Sequence, residues 1–385
     1  MRVLHVAESA KGGVGTYLSH LTPVQIKSFG AENVQVLAPD AHAEQLGPLP
    51  AETLKVYPRA DRSARSLIGL ANALQDRVRE FQPDVIHAHS TFAGAVARMV
   101  YGPQPRRPAI VYCPHGWAFD IAAAGWKVRA VTLAEQALAR FSDRVIAISQ
   151  HEARQALRIG IGADRIQLAV NGLPEAPSTP PAAWDDSRLK VLFVGRFDRQ
   201  KGFDVLAKAA GVLRQRIVVR AAGAAVAGSG EAVATPDNVQ MLGWLDPVGV
   251  QAQLQACDVA VVPSRWEGFG FVAAEALRAG KPVIASRVGA LPELVEDGFN
   301  GRLTPAGDAE ALAQALMMDG ASARQTMGRR SRERYERRFT LAPMSESILA
   351  AYDGACRDRR RAPAALVRDP SWSQAPRSST PSSLP

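Results

Sequence analysis

Short β-branched runs alternate along the chain with longer stretches of helical period. Residues 3–7, 34–38, 84–88, 109–113 and 144–148 read as buried strands. Between them, residues 66–81 and 130–141 place apolar side chains on one face and read as amphipathic helices. This alternation predicts βαβ units and a parallel, doubly wound sheet. The pattern breaks at residues 173–186, LPEAPSTPPAAWDD, a Pro-rich stretch without apolar periodicity that reads as a linker. It then restarts, with strands at 189–194, 217–221, 239–242, 258–262 and 282–285. Helices are expected at about 203–213, 247–256, 271–279, 309–318 and 324–339, with a last one at about 342–356.

The reading is an α/β chain of two Rossmann-like domains, residues 1–172 and 187–341, facing each other across one cleft. A C-terminal helical segment, 342–361, follows and is expected to pack back toward the first domain. Residues 362–385, dominated by Pro and Ser, read as a disordered tail. The length of 385 residues agrees with two domains at about 150 residues each.

Composition changes this picture little. Hydrophobic residues are 47% and charged residues 22%, which excludes a mostly disordered, collagen-like or coiled-coil chain. No apolar run approaches the roughly 18 residues of a membrane span, and residues 1–13 lack the pattern of a signal peptide. Cys113, Cys257 and Cys356 are too scattered for a zinc cluster or a disulfide framework, so a reducing cytoplasm is expected. The net charge of +9 is uneven: residues 321–361 hold eleven arginines against five acids, a local +6. Two readings compete for this stretch, a solvated helix face and attraction to an anionic membrane surface or lipid-linked substrate. Arg330, Arg334, Arg337 and Arg338 would share a face at helical spacing. Nucleic acid is not expected as a partner, because no recognisable binding motif accompanies the charge.

Four segments carry candidate chemistry. Residues 263–280, PSRWEGFGFVAAEALRAG, follow a strand and open a helix. Gly268 and Gly270 flank Phe269 at that helix start, where backbone N–H groups favour an anion. Glu267 lies in the loop, and Glu275, eight residues on, can reach ligand hydroxyls from the helix. Residues 191–202, VLFVGRFDRQKG, place Arg196 and Lys201 after a strand, suited to a diphosphate. Residues 8–16, ESAKGGVGT, form a Gly-rich turn around Gly13. The turn departs from the dinucleotide fingerprint because Leu18 stands where its third glycine belongs, although Asp40 can pose as a ribose acid. Cys113-Pro114-His115-Gly116 ends a strand with a histidine. His87 and His89 have no carboxylate or Cys partner at metal-ligand spacing.

The first segment resembles the E-x7-E motif of retaining glycosyltransferases of family 4, which have the GT-B fold. The second resembles the same family's G-R-x-x-x-x-K-G string. The resemblance covers roughly residues 1–360 and is most specific in the second domain. It implies that Glu275 binds the nucleotide ribose and Glu267 the donor sugar, while Gly268, Phe269 and Gly270 offer backbone to the diphosphate. It further implies that Arg196 and Lys201 neutralise the leaving group, that Gly13 lies near the donor phosphate, and that His115 contacts the sugar near the reaction centre. Trp244, after a strand of the second domain, either stacks on the base or simply packs. Asn171-Gly172 resembles a family junction in which an Asp stands where this chain has Pro174.

The function expected is transfer of a sugar, a hexosyl unit by preference, from a UDP- or GDP-sugar to an acceptor hydroxyl. The acceptor would be a lipid-diphosphate-linked glycan of exopolysaccharide or O-antigen synthesis, met peripherally at the inner face of the cytoplasmic membrane. Residues 119–126, FDIAAAGW, can meet such a lipid or form an ordinary buried helix. No cofactor or metal is expected, as no D-x-D string falls at a strand end. The alternatives are a nucleotide-sugar epimerase of the same fold, needing no acceptor, and a non-catalytic scaffold.

Overall fold

The computed structural model describes residues 1–59, 63–120, 125–225 and 233–361. The expected disordered tail lies outside these residues, as does the middle of the 119–126 stretch. Strands β1 (Val3–Ala7), β2 (Val34–Pro39), β3 (Leu54–Tyr57), β4 (Val85–His89), β5 (Ala109–Cys113), β6 (Arg144–Ala147) and β7 (Ile166–Leu168) form the first sheet. Helices α1 (Gly13–Phe29), α2 (Ala64–Phe81), α3 (Ser90–Tyr101), α4 (Gly125–Ala139) and α5 (Gln150–Arg158) connect them. The second sheet holds β8 (Leu189–Val194), β9 (Ile217–Ala222), β10 (Val239–Gly243), β11 (Val259–Val262), β12 (Val283–Ser286) and β13 (Gly301–Thr304). Its helices are α6 (Phe203–Val212), α7 (Pro247–Ala256), α8 (Phe271–Arg278), the short α9 (Leu291–Leu294), α10 (Ala309–Met318) and α11 (Ala321–Arg338). Helix α12 (Leu341–Arg361) ends the described chain.

The strand orders are β3-β2-β1-β4-β5-β6-β7 and β10-β9-β8-β11-β12-β13, all parallel. Helices cover both faces, so central strands such as VLHVA and VAVV are fully buried and apolar but for His5. Each fully buried Val, Leu or Ile is worth about 1.5–3 kcal/mol, and these strands therefore fix the two cores. This is the two-domain GT-B architecture that the motifs implied.

Helix α12 begins against the second domain and packs back on the first, touching α1, β5, β6 and β7. It is fastened there by an ion pair of Arg144 with Asp358 at 2.6 Å and by a contact of the Tyr352 hydroxyl with His87 Nδ1 at 2.7 Å. The helix fills the expected 342–361 segment, and its exposed last turn is also held to the first domain by Arg359, which donates to the Pro105 carbonyl at 2.8 Å.

The basic stretch needs one correction. Arg330 lies over the Phe299 ring, 4.7 Å from its centroid, and Arg334 pairs with Glu296 at 3.2 Å while donating to the Glu293 carbonyl at 2.8 Å. These two cations are held by the second domain, whereas Arg337 and Arg338 are exposed. A helix with the expected spacing thus turns half of its expected basic face toward neighbouring loops.

Candidate active site

Both sheets reverse their strand order once, between β1 and β4 in the first and between β8 and β11 in the second. Segments leaving the carboxyl ends of those strands gather at such switch points. After β8 the chain makes a tight turn in which Asp198 Oδ1 accepts from the Lys201 backbone N–H at 2.9 Å. The Lys201 ammonium donates to Glu267 Oε2 at 2.6 Å, and Ser264 Oγ reaches the same oxygen at 3.3 Å. Arg196 forms an ion pair with Asp198 at 2.8 Å and donates to Gln200 Oε1 at 2.6 Å. Both cations are thus held by a carboxylate at the carboxyl end of the sheet. A fork of Arg265 on both Asp204 oxygens, each at 2.7 Å, locks the loop after β11 to α6 and holds the Asp204 carboxyl below its usual range.

Glu275 sits on α8, half-buried, and no hydrogen bond or ion pair engages its carboxyl among the described residues. Desolvation raises it from 4.5 to about 7, with Arg278 pulling the other way. Phe269 turns its ring into the core, 5.3 Å from Phe271 and 6.1 Å from Phe339, leaving its backbone for the cleft. Trp244 follows β10 with 72% of its surface exposed, so it is not a packing residue.

The two domains touch at the site. A Cβ added to Gly268 would lie 3.1 Å from the His115 carbonyl oxygen and 3.3 Å from Gly116 Cα, and one added to Gly13 would lie 3.8 Å from the Phe271 ring. Glycine at 268 therefore lets the second-domain loop approach the first-domain loop directly. His115 has a positive φ of 55°, uncommon for a residue with a side chain. Burial lowers its ring to about 3, so it is neutral.

Three residues escaped sequence reasoning. Glu152 accepts hydrogen bonds from the backbone N–H groups of Gly116 and Ile148 and so clamps the His115 loop. Burial raises it to about 8, against the pull of those two N–H groups. The S-x-x-E string at Ser149–Glu152 was its readable signal, and Ser149 Oγ does cap the Glu152 N–H at 3.1 Å. Glu293 of the second domain accepts from the N–H groups of Gln150 at 2.8 Å and His151 at 2.6 Å. It thereby places a carboxylate on the N-terminus of α5 across the cleft. No local pattern marks such a partner.

The third is Gly289, after β12. It has φ +53, and a Cβ there would stand 1.8 Å from the Glu267 carbonyl oxygen. Gly289→Ala is expected to destabilise the fold by more than about 1 kcal/mol and to weaken nucleotide binding by moving Glu267. Urea unfolding and calorimetry on the purified variant check both effects.

Among possible metal-binding groups, His5, His87 and His89 bring ligand nitrogens within 4.8 Å of one another, buried in the first domain.

Comparison with known proteins agrees with this geometry. Residues 12–172 match the "Glycosyl transferase 4-like domain" family, and residues 188–318 match "Glycosyl transferases group 1". The chain is 30% identical to an uncharacterised 41.2 kDa protein in the cps region of Klebsiella pneumoniae, over 82% of this chain and 89% of that protein. It is 32% identical to a D-inositol 3-phosphate glycosyltransferase of Mycolicibacterium gilvum, over 59% of this chain and 55% of the relative. Among solved structures it resembles Anabaena HepE in complex with UDP-glucose, with a TM-score of 0.75 and 20% identity over 92% of this chain and 99% of the other.

Proposed function

Because the chain belongs to the group 1, family-4-like glycosyltransferases, which draw on nucleotide-sugar donors, we propose that it transfers a hexosyl unit with retention to a lipid-linked glycan acceptor. The observation that carries this reading is the meeting of Lys201, Glu267 and Gly268 with His115 where the two sheets' switch points face each other. Lys201, Arg196 and the N-terminus of α8 supply positive potential for a departing diphosphate. Glu275, with its carboxyl raised and unengaged, would accept the ribose hydroxyls. Glu267, released from Lys201 by that diphosphate, would accept from the donor sugar.

The relative from a cps region and the UDP-glucose complex of a similar fold support a polysaccharide pathway and a UDP donor. A thermal-shift screen of UDP- and GDP-sugars tests the donor. A true donor at a hundred times its Kd should add about 2.7 kcal/mol, and no stabilisation by any of them would overturn the reading. Turnover that continues without acceptor would favour the epimerase.

A membrane-borne acceptor is supported by α4. Buried Glu135 pairs with buried Arg98 at 2.9 Å and anchors the helix from beneath. Its outer face exposes Trp126 and Leu133 beside Lys127 and Arg129. That combination suits an anionic bilayer surface. Among the described residues no helix is long and apolar enough to cross a membrane.

Trp126→Ala with Leu133→Ala should reduce sedimentation with anionic vesicles at any salt. Arg337→Gln with Arg338→Gln should reduce it chiefly at low salt, since screening shortens from about 10 Å at 0.1 M to about 3 Å at 1 M. If neither pair changes vesicle binding, the acceptor is not met at a membrane through these surfaces.

A further inference from the structure

A line of buried polar groups runs behind the cleft. Gln25 Oε1 lies 2.6 Å from His5 Nε2, His5 Nδ1 lies 2.9 Å from His89 Nε2, and His89 Nδ1 lies 2.9 Å from His115 Nε2. These groups come from four elements. Gln25 is on α1, His5 on β1 and His89 on β4, and His115 is in the loop after β5. We infer that Gln25 is a positioning residue that sets the ring tautomer of His115 through His5 and His89. The inference rests on the reading of His115 as a donor-sugar contact.

The argument is one of proton counting. Burial keeps the rings neutral: His5 falls to about 4, His115 to about 3, and His89 well below its usual value. A neutral imidazole has one N–H and one lone pair, so each link in the line takes one proton from one side. Gln25 Oε1 can only accept, so His5 donates from Nε2 and accepts at Nδ1. His89 then donates from Nε2 and accepts at Nδ1. His115 must donate from Nε2, which leaves Nδ1 a lone pair with no partner among the described residues. That nitrogen can accept from a sugar hydroxyl and cannot donate to one.

The other end of the amide suits this direction. Gln25 Nε2 donates to the Tyr352 hydroxyl at 3.0 Å, and that hydroxyl, left with its own proton, can donate to His87 Nδ1 at 2.7 Å. An amide turned by half a rotation would reverse every proton in the line and make His115 Nδ1 a donor. One side chain on α1, held by a tyrosine of α12, thus commits a ring at the cleft. An amide neither gives up nor takes a proton under these conditions, so the line is a direction setter and not a proton wire.

Nitrogen-15 spectra of protein labelled at its seven histidines read the tautomer directly. The expected result is an unprotonated Nδ1 on His115 in the unaltered protein. A protonated Nδ1 there overturns the inference without any variant. Gln25→Leu should give a mixture of His115 tautomers, and Gln25→Glu, which keeps an acceptor toward His5, should restore the single form. Identical His115 spectra in Gln25→Leu and the unaltered protein would also overturn it.

In kinetics, Gln25→Leu should lower kcat by about tenfold with KM for the donor nearly unchanged, the mark of an interaction made in the transition state. Altered tautomers with unchanged kcat would overturn the role of His115 and leave the tautomer control standing. Stoichiometric zinc in the purified protein would overturn the control itself, because zinc held by His5, His87 and His89 would take the lone pairs the line requires.

Discussion

Lys201→Ala is expected to lower kcat by about 10²–10³ in a protein that still folds. The ammonium sits at the carboxyl end of β8, paired with Glu267 at 2.6 Å and 23% exposed. Without a ligand, the pair contributes little to stability, because a partly solvated ion pair is worth about 0–1 kcal/mol. On the proposed function the ammonium would face a leaving diphosphate whose charge grows as the glycosidic bond breaks, and the interaction would then strengthen. Steady-state kinetics and thermal unfolding of the same preparation separate the two. Near-normal turnover would remove Lys201 from the chemistry, and a large loss of Tm would make its role structural.

Glu275→Gln is expected to weaken nucleoside diphosphate binding by about tenfold to a hundredfold above pH 7, from the 1.5–3 kcal/mol of a charged hydrogen bond. The effect should fade as pH falls. The carboxyl is raised from 4.5 to about 7, so the fold holds its proton more tightly than the unfolded chain does. Stability from this group accordingly falls as pH climbs from about 4.5 to about 7. The amide of the variant does not titrate, and the variant should be the more stable protein at pH 8. Ribose hydroxyls binding the ionised form would draw the proton off, so the affinity of the unaltered protein should rise through pH 7 relative to the variant. The variant carries the same nucleotide and cancels the titration of the phosphate itself. Calorimetry at pH 6 and pH 8 provides the comparison. Equal affinities at pH 8 would place the ribose contact elsewhere.

The central strands were legible because parallel strands covered on both faces are mostly apolar, as in β5 and β11, and in β1, β4 and β8 only His5, His87, His89 and Lys190 interrupt the apolar run. The strands that went unread are β3, β7 and β13, and each is a sheet edge. An edge strand has one neighbour and an open side, so LKVY, IQL and GRLT need no continuous apolar run and carry none.

The donor side of the site was legible for a related reason. Its chemistry comes from two continuous segments, 195–201 and 263–275, in which spacing along the chain is already spacing in the site. The sequence therefore carried the two doubly wound sheets and the two continuous segments whose side chains the proposed function sets toward the donor. Tertiary structure decided what joins distant segments. Glu293 reaches across the cleft to α5, and two of the four arginines expected to share a basic face are held by the second domain. Four histidine and glutamine side chains from separate elements also fall into one hydrogen-bonded line. A hydrogen bond depends on angstrom-scale approach between groups, and residues 84 positions apart, such as His5 and His89, acquire that approach only when β1 and β4 pair in register.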